Sequence, residues 1–507
     1  MIDRWFGIVG SVAMLVACSN QDNSAPGDRA DAPAASADGD TTPAGCYPFD
    51  QPSTSELRAS PKKAFAYYFP PFPVSVDNKD PATDQYAKWL DPAGSNGMYA
   101  KYGGYIRDRP LSRPVRSEAS WRQLDFEREV ATAVEMGLDG FIFEFPDHVS
   151  ADARWNHLPT MLDAAAAVDP DFRVMLSPDF PTGATATTAG LEATISAVAT
   201  HPSVYKLADG SIVLASFYPE RQPTTFWETL RTNLAAQGIK VVFVPIFLSW
   251  NGTGQDAWNS TAYGFSSWGV RTVPSTSNYV TASSSAHARN KLWMSPVAFE
   301  DVRFKDNDGA GVMRYWEAQN SKLFRASFEN AITGDADWIS LTTWNDYTES
   351  WLSPSQERGY AVVDLGAYYV TWFKTGQAPA IVRDAIYYFH RRQKSDAAYD
   401  TTKQTAGAIQ PQGPVTDLVE LLAFLKSPGT LVITQGSDVQ TMDAPAGMVS
   451  FTVPIVPGTT PDFELRRDGQ TVEHVQSTTP IQTQMVYQDL MYHAGGGISC
   501  TRGVGSI

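Results

Sequence analysis

Two carboxylate residues, Asp346 and Glu349, have the types and spacing that could do chemistry most directly. They lie among three aromatic residues, Trp344, Tyr347 and Trp351. Cleavage of a glycosidic bond needs one carboxyl group to protonate the leaving oxygen and another to activate water or attack, and aromatic faces stack on pyranose rings. A polar strand end followed by a turn is the alternative, because such pairs are common where loops start.

Short apolar runs alternate with amphipathic segments from about residue 62 to residue 376. The apolar runs are 64–69, 140–145, 173–180, 211–217, 241–247, 264–268, 291–297 and 338–344. The amphipathic segments include 120–136, 160–168, 191–200, 225–237 and 316–331. This alternation predicts an α/β fold, a (β/α)8 TIM barrel. A doubly wound open sheet is the competitor, but no glycine-rich dinucleotide loop follows the first run.

Barrels of this kind build their active sites at the C-terminal ends of the strands, and Asp346 and Glu349 follow the eighth run. Polar or aromatic residues lie at similar positions in the other runs, and we predict that they bind substrate. This predicted set is Tyr68, Glu144, Asp179, Trp250 and Trp268, together with Trp344, Tyr347 and Trp351. Asp147, Glu220, Glu300 and Asp301 are placed similarly. Each residue alone could instead be a helix cap or a solvated side chain.

Beyond residue 376 the pattern changes to short strands between Gly and Pro clusters. The predicted strands are 385–390, 430–434, 448–453, 462–467 and 471–475, while 415–425 has helical periodicity. Arg467-Asp468-Gly469 is typical of a hairpin turn. We therefore predict a catalytic barrel over residues 46–378 and a β-sandwich accessory domain over 379–507. The sandwich could bind glycan or be structural, and the lack of an aromatic platform favours the structural role.

Residues 1–18 predict a lipoprotein signal peptide. An apolar run over 5–16, too short to span a bilayer comfortably, ends in Leu15-Val16-Ala17-Cys18. This ending resembles a bacterial lipobox, which implies cleavage before Cys18 and lipidation of that residue; a plain signal peptide or an accidental cysteine are the alternatives. Residues 19–45 predict a flexible linker. We expect a bacterial cell envelope location, at the outer membrane or cell surface, or secretion.

Charge and cysteine usage narrow the classes of partner. The formal net charge of -16 argues against nucleic acid and anionic membrane surfaces, so any membrane contact would be through the lipid anchor. Cys46 and Cys500 could form a disulfide in an oxidising compartment, or remain free thiols. The His and Cys residues lack metal-ligand spacing, so we predict no metal and no cofactor. We expect a monomer that acts on a neutral polysaccharide or oligosaccharide.

The segment Thr343-Trp344-Asn345-Asp346-Tyr347-Thr348-Glu349-Ser350 resembles the signature of glycoside hydrolase family 71, the α-1,3-glucanases or mutanases, which runs Thr-Trp-Asn-Asp-Tyr-Gly-Glu-Ser. Looser similarities lie at 137–141, 177–179, 265–268, 294–296, 384–387 and 466–469, so the resemblance covers about residues 62–480. It implies a (β/α)8 barrel, endo-α-1,3-glucanase activity with inversion, and Asp346 and Glu349 as catalytic residues.

Related endo-α-glycosidases suggest that Glu349 is the general acid and Asp346 the base. The acid needs a raised pKa, which apolar neighbours and the Asp346 charge would provide. Inversion needs carboxyl groups roughly 6.5–9.5 Å apart, and therefore a loop rather than a helical turn.

The sequence departs from the family near this site. Thr348 replaces a glycine, Trp351 replaces a histidine, and Glu144 stands where the family tends to have asparagine. These changes bear on the substrate. An endo-glycosidase acting on α-mannosides and a non-catalytic glycan-binding surface lipoprotein are therefore the alternatives.

Overall fold

The computed structural model describes residues 45–147, 150–179, 187–248, 250, 254–305 and 311–502. The predicted signal peptide with Cys18, and all but the last residue of the predicted linker, lie outside the described residues. Across the described ranges, no helix is long and apolar enough to cross a membrane.

A closed barrel of parallel strands forms the centre of the molecule. The first strands along the chain are β1 (Lys63–Tyr68), β2 (Gly140–Phe145), β3 (Arg173–Pro178), β4 (Ile212–Phe217), β5 (Val241–Phe247), β6 (Gly264–Ser267), β7 (Leu292–Val297), β8 (Asp301–Arg303), β9 (Arg314–Trp316), β10 (Trp338–Leu341), β11 (Asn345–Asp346) and β12 (Ser350–Trp351). Strands β1 to β7 and β10 make the barrel, which β10 closes by pairing with β1 and β7. The predicted barrel is confirmed, although its eighth strand ends at Leu341 rather than at residue 344.

Alternation along each strand separates two cores. Phe65, Tyr67 and Ile142 pack inside the barrel, whereas Tyr68 and Phe141 pack toward the surrounding helices. Because both faces are buried, the strands read in the sequence as nearly continuous apolar runs. This property makes them easy to locate.

The helices pack around this barrel or lie on the segments that connect its strands. They are α1 (Thr54–Ala59), α2 (Gln85–Leu90), α3 (Trp121–Glu135), α4 (Leu158–Val168), α5 (Thr188–Val198), α6 (Thr224–Ala236), α7 (Asn278–His287), α8 (Lys322–Thr333) and α9 (Ala361–Thr375). The predicted start of the helix at residue 316 is wrong, because Trp316 is held in β9 by pairing with neighbouring strands and α8 starts at Lys322. Helix α9 ends at Thr375 and is capped by Gly376, which adopts the left-handed conformation (φ 77°) that glycine permits.

Two antiparallel sheets follow the barrel. The C-terminal strands are β13 (Ala385–His390), β14 (Ala398–Tyr399), β15 (Gln410–Gln412), β16 (Leu418–Leu425), β17 (Gly429–Gln435), β18 (Asp438–Ala444), β19 (Gly447–Pro454), β20 (Asp462–Arg467), β21 (Gln470–Gln476), β22 (Gln484–Met485) and β23 (His493–Gly496). The sheets have the strand orders β19-β16-β13-β23 and β18-β17-β20-β21. Leu421 of one and Ile433 of the other share an apolar core, which makes the pair a β-sandwich.

The helix expected over 415–425 is wrong, since this segment is strand β16. Leu421 and Ala423 face the sandwich core, while Leu422 and Phe424 face the barrel core. A strand buried on both faces gives an apolar run whose periodicity cannot be told from that of a buried helix. The same packing seats the sandwich on the barrel, where the Phe424 ring contacts Tyr368 of α9 at 5.1 Å between centroids.

The two ends of the described chain meet beside α9. Cys46 and Cys500 are joined by a disulfide across a sequence separation of 454 residues. Next to it, Arg502 forms ion pairs with Asp364 and Glu135.

Candidate active site

The carboxylate motif forms a tight hairpin beyond the C-terminal end of β10. Strands β11 and β12 pair antiparallel, with Asp346 opposite Ser350, and the turn between them is Tyr347-Thr348-Glu349. The Glu349 backbone N–H donates to the Asp346 carbonyl at 3.1 Å. Both carboxylates therefore lie on a loop at the face where barrels of this class build active sites, and not on a helical turn.

The base of the hairpin is fixed to the end of the first barrel strand. The Trp344 N–H donates to the Tyr67 carbonyl at 2.7 Å. The Asn345 side chain accepts from the Phe69 N–H at 2.8 Å and donates to the Phe72 carbonyl at 2.8 Å. The asparagine of the motif thus joins β11 to the segment that follows β1, which leaves the neighbouring carboxylates in a defined position.

The Asp346 carboxylate is held by Thr348. One of its oxygens, Oδ1, accepts from both the backbone N–H and the hydroxyl of Thr348, at 2.9 and 2.6 Å. Its side chain is buried, and this burial raises the pKa of Asp346 against the opposing effect of the Thr348 hydrogen bonds. Thr348 therefore adds an oriented hydroxyl that the family's glycine could not provide.

Glu349 lies closer to solvent, with its side chain about one-fifth exposed (20%). Its Oε2 accepts from Nη2 of Arg303 at 3.1 Å. Partial burial, together with the charges of Asp301 and Asp346, raises the pKa of Glu349 to about 7, although Arg303 opposes the shift. A carboxyl group with this pKa can carry a proton near neutral pH, as a general acid must.

An ion-pair network extends from Glu349 to the ends of the sixth and seventh barrel strands. Arg303 donates to both carboxylate oxygens of Asp301, at 3.0 and 3.1 Å. Arg271 lies 3.6 Å from the same carboxylate and donates to the Trp268 carbonyl at 2.7 Å. Neither arginine is among the residues predicted from the sequence, in which each is only a basic residue shortly after a strand end.

Glu144 and Asp179 meet at Tyr67 inside the mouth of the barrel. Both carboxylates are buried. Burial of Tyr67 is the main cause of its raised pKa, and the negative charges of Glu144 and Asp179 raise this pKa further. The Tyr67 hydroxyl is 3.2 Å from the Ser177 hydroxyl. Two predicted residues thus converge on one polar wall, which Tyr67 joins although no feature of the sequence indicates this.

Trp268 provides a partly exposed aromatic face beside this wall. Its ring packs edge-on against Tyr67 (5.0 Å between centroids) and at a tilt against Phe217 (4.5 Å). The guanidinium of Arg271 lies 5.8 Å from the Trp268 centroid. The same indole therefore borders both the polar wall and the network that reaches Glu349.

A second aromatic pair comes from the segment between β1 and α3. The rings of Tyr99 and Tyr105 lie 4.5 Å apart, and the Lys305 ammonium lies 4.4 Å from the Tyr105 centroid. Burial lowers the pKa of Lys305, while Tyr99 and then Asp346 and Glu349 act in the opposite direction. Lys305 therefore lies between the Tyr105 ring and the charges of the two carboxylates, and the sequence predicted none of these three side chains.

The three aromatic residues of the motif lie inside the protein. We expected Trp344, Tyr347 and Trp351 to stack on sugar, and the structure corrects this expectation because each is 0% exposed. Tyr347 packs on Trp351 at 5.3 Å, and the Trp351 indole N–H donates to Asp108 at 2.9 Å. Their rings support the hairpin from below.

Two other predicted substrate contacts also lie in packed surroundings. The Tyr68 hydroxyl donates to Glu129 on α3 at 2.7 Å, in the layer between barrel and helices. Trp250 packs against Trp293 at 5.0 Å between centroids, again toward that layer. The structure therefore groups Glu144, Asp179 and Trp268, but does not bring Tyr68 or Trp250 to them.

In the part of the chain that is described, no group of three or more His, Cys, Asp or Glu residues could hold a metal ion.

Known proteins resemble this chain in sequence and in structure. The sequence profile of Glycosyl hydrolase family 71 matches residues 115–494. A glucan endo-1,3-alpha-glucosidase of Schizosaccharomyces pombe is 25% identical over 385 residues, which span 69% of this chain and 85% of that protein. An ascus wall endo-1,3-alpha-glucanase of the same organism is 21% identical over 247 residues, spanning 46% and 54%.

Among solved structures, a GH99 endo-alpha-mannosidase from Bacteroides thetaiotaomicron is similar with a TM-score of 0.46 and 15% identity, covering 62% of this chain and 97% of that one. The family profile begins before β2 and ends within β23, so it includes the hairpin and both sheets of the sandwich.

Proposed function

The chain belongs to glycosyl hydrolase family 71 and is a glycoside hydrolase, and from this we propose that it is an endo-α-1,3-glucanase that inverts the anomeric centre. The observation that carries the proposal is the hairpin that presents Asp346 and Glu349 in different surroundings. Asp346 is buried and held by Thr348, whereas Glu349 is partly exposed and paired with Arg303. Different environments for two carboxyl groups are what separate an acid from a base.

In the proposed reaction, Glu349 protonates the glycosidic oxygen as the bond to the anomeric carbon breaks. A pKa of about 7 lets a useful fraction of Glu349 carry this proton near neutral pH. Asp346 acts as an anion that removes a proton from the attacking water on the opposite face of the sugar. The two hydrogen bonds from Thr348 favour this charged form and fix Oδ1, so that Oδ2 is the oxygen directed to water.

Substrate binding is assigned to the side chains around the carboxylates. Trp268, Tyr99 and Tyr105 provide ring faces on which glucose units can stack. Glu144 and Asp179 provide carboxylate oxygens that accept from sugar hydroxyl groups. The endo mode and the α-1,3 linkage are proposed by analogy with the glucan endo-1,3-alpha-glucosidase that is 25% identical to this chain.

We also propose that the enzyme acts outside the cytoplasm, attached through a lipid on Cys18. The lipobox-like sequence before Cys18 supports this, as does the Cys46–Cys500 disulfide, since disulfides persist mainly in oxidising compartments. Membrane fractionation of cells that express the full chain or its Cys18→Ala variant tests the anchor. Equal membrane association of both would contradict it.

The proposed activity is tested with the chain purified from residue 19 onward. We expect reducing sugar from α-1,3-glucan, and we expect NMR of the first product from a defined oligosaccharide to show a new β-configured reducing end. Release from α-mannan instead would identify the mannoside-acting alternative. Tight binding to glucan without turnover would identify a glycan-binding protein, and an α-configured first product would contradict inversion.

A further inference from the structure

We propose that Arg303 is a positioning residue that holds the general acid Glu349 in place, and that a strand from the C-terminal region keeps Arg303 there. The inference rests on the proposed role of Glu349 and extends it to a residue outside the family signature. It also gives part of the C-terminal region a direct connection to the catalytic hairpin.

The guanidinium of Arg303 connects two carboxylates. Its Nε and Nη2 donate to the two oxygens of Asp301, and Nη2 also donates to Oε2 of Glu349 at 3.1 Å. The Trp316 ring supports it, with the guanidinium carbon 4.9 Å from the ring centroid. Asp301 therefore fixes the orientation of the fork, and one nitrogen of that fork is aimed at Glu349.

This contact selects the oxygen of Glu349 that carries the proton. Because Oε2 accepts from a cation, the proton of the neutral acid belongs on Oε1. In the reaction the Oε1–H bond breaks as the proton passes to the glycosidic oxygen, and the electron pair stays on the carboxylate. The guanidinium that held the neutral acid then stabilises the carboxylate anion that forms.

The strand that carries Arg303 is tied to both the hairpin and the C-terminal region. Strand β8 pairs with β9, and β9 pairs with β15, which lies along the chain between the sandwich strands β13 and β16. The Val302 N–H, next to Arg303, donates to the Glu349 carbonyl at 2.8 Å. The Gln410 N–H at the start of β15 donates to the Met313 carbonyl at 2.9 Å. Sheet β15-β9-β8 thus holds the backbone of Arg303 in position beside the hairpin.

The other charges near Glu349 give the loss of Arg303 a definite sign. Asp301 and Asp346 raise the pKa of Glu349, whereas Arg303 and, more weakly, Arg271 lower it. Lys305 is a further cation near the hairpin. Without Arg303 the two negative charges act with less opposition, so the acid should keep its proton to higher pH even though it is poorly oriented.

The test compares Arg303→Met with Arg289→Met in the purified chain. Arg289 is a matched control, since its side chain is 21% exposed against 24% for Arg303 and it pairs with Asp256 at 2.7 Å on the surface near α7. For Arg303→Met we expect kcat on α-1,3-glucan to fall about 10- to 100-fold with little change in KM. We also expect the basic limb of its pH profile to shift to higher pH.

A substrate with a fluoride leaving group separates positioning of the acid from general damage. Fluoride departs without protonation, so the Arg303→Met defect should largely disappear on an α-1,3-linked oligoglucosyl fluoride. Equal losses on glucan and fluoride, or behaviour like Arg289→Met, would overturn the inference. If Arg303→Met does not fold, Arg303→Lys takes its place. We then expect a smaller fall in kcat on glucan and recovery on the fluoride. Equal losses of Arg303→Lys on both substrates would again overturn the inference.

The Glu349→Gln variant distinguishes failure of this inference from failure of the proposed function. If Glu349→Gln is impaired on glucan and Arg303→Met is not, only the positioning role of Arg303 is wrong. If Glu349→Gln is as active as the wild type, the acid has been assigned wrongly and the inference falls with it.

Discussion

The Thr348 hydroxyl donates to Oδ1 of Asp346 at 2.6 Å, and the Thr348 backbone N–H donates to the same oxygen at 2.9 Å. The residue that replaces the glycine of the family signature is therefore part of the support of the proposed base. A glycine would keep the backbone hydrogen bond but lose the hydroxyl. Both contacts are made to Oδ1, which leaves Oδ2 for the water in the proposed reaction.

Two replacements of Thr348 should separate the effect of its hydroxyl on the rate from the effect of its side-chain volume. Thr348→Val keeps the volume but removes a charge-assisted hydrogen bond worth about 1.5–3 kcal/mol, so we expect kcat on α-1,3-glucan to fall about tenfold or more. Thr348→Ser retains the hydroxyl and should stay near the wild-type rate. Steady-state kinetics of both variants checks this, and equal rates would show that the hydroxyl does not act on Asp346.

The pH profile should report the protonation of Glu349. Because the acid must be protonated to act, kcat/KM should fall as the pH rises through about 7, the value that burial gives the pKa of this group. Measurements across pH 5 to 9 on a soluble α-1,3-oligosaccharide locate this limb. A profile that stays flat to pH 9 would exclude Glu349 as the titrating acid.

Trp268 should contribute to binding and not to chemistry. Its partly exposed ring is the aromatic face next to the Tyr67 wall. Loss of one stacking contact worth about 1 kcal/mol predicts a KM that is roughly fivefold higher in Trp268→Ala, with kcat changed less. Trp268→Phe keeps a ring, and its KM should lie between those of the wild type and Trp268→Ala. An unchanged KM in Trp268→Ala would mean that the sugar binds elsewhere.

Glu129 should make stability depend on pH. Burial raises its pKa from 4.5 to about 8, so the folded state holds a proton on Glu129 that the unfolded state releases across this interval. This group's contribution to wild-type stability is therefore lost as the pH rises from about 4.5 to about 8. The glutamine of Glu129→Gln does not titrate, so this variant does not lose stability in this way. The difference between its melting temperature and that of the wild type should therefore rise between pH 5 and pH 8. A constant difference would contradict the buried neutral carboxyl.

Much of the barrel could be predicted from the sequence because its strands are buried on both faces. Runs such as Gly140–Phe145 and Val241–Phe247 end where the structure ends them. The same property led to the wrong prediction of a helix at β16, because alternate residues of this strand enter two different cores. An apolar run identifies a buried element, but it does not always tell a strand from a helix.

The candidate site was predicted less completely, because spacing along the chain does not give the direction of a side chain in a hairpin. The Glu349 carboxylate pairs with Arg303 and that of Asp346 accepts from Thr348, while the rings of Tyr347 and Trp351 enter an apolar core. Arg303 is brought to Glu349 by the β8–β9 excursion, a tertiary arrangement that no local pattern indicates. Strand ends locate such a site, and packing decides which of their side chains enter it.

The central claim is that Asp346 and Glu349 hydrolyse α-1,3-glucan, and reducing-sugar release by Asp346→Asn and Glu349→Gln beside the wild type tests it most directly. We predict that the wild type releases sugar and that each variant, folded as judged by circular dichroism and thermal melting, is slower by about 10²–10⁴-fold. Either variant retaining a rate within about tenfold of the wild type would contradict the assignment.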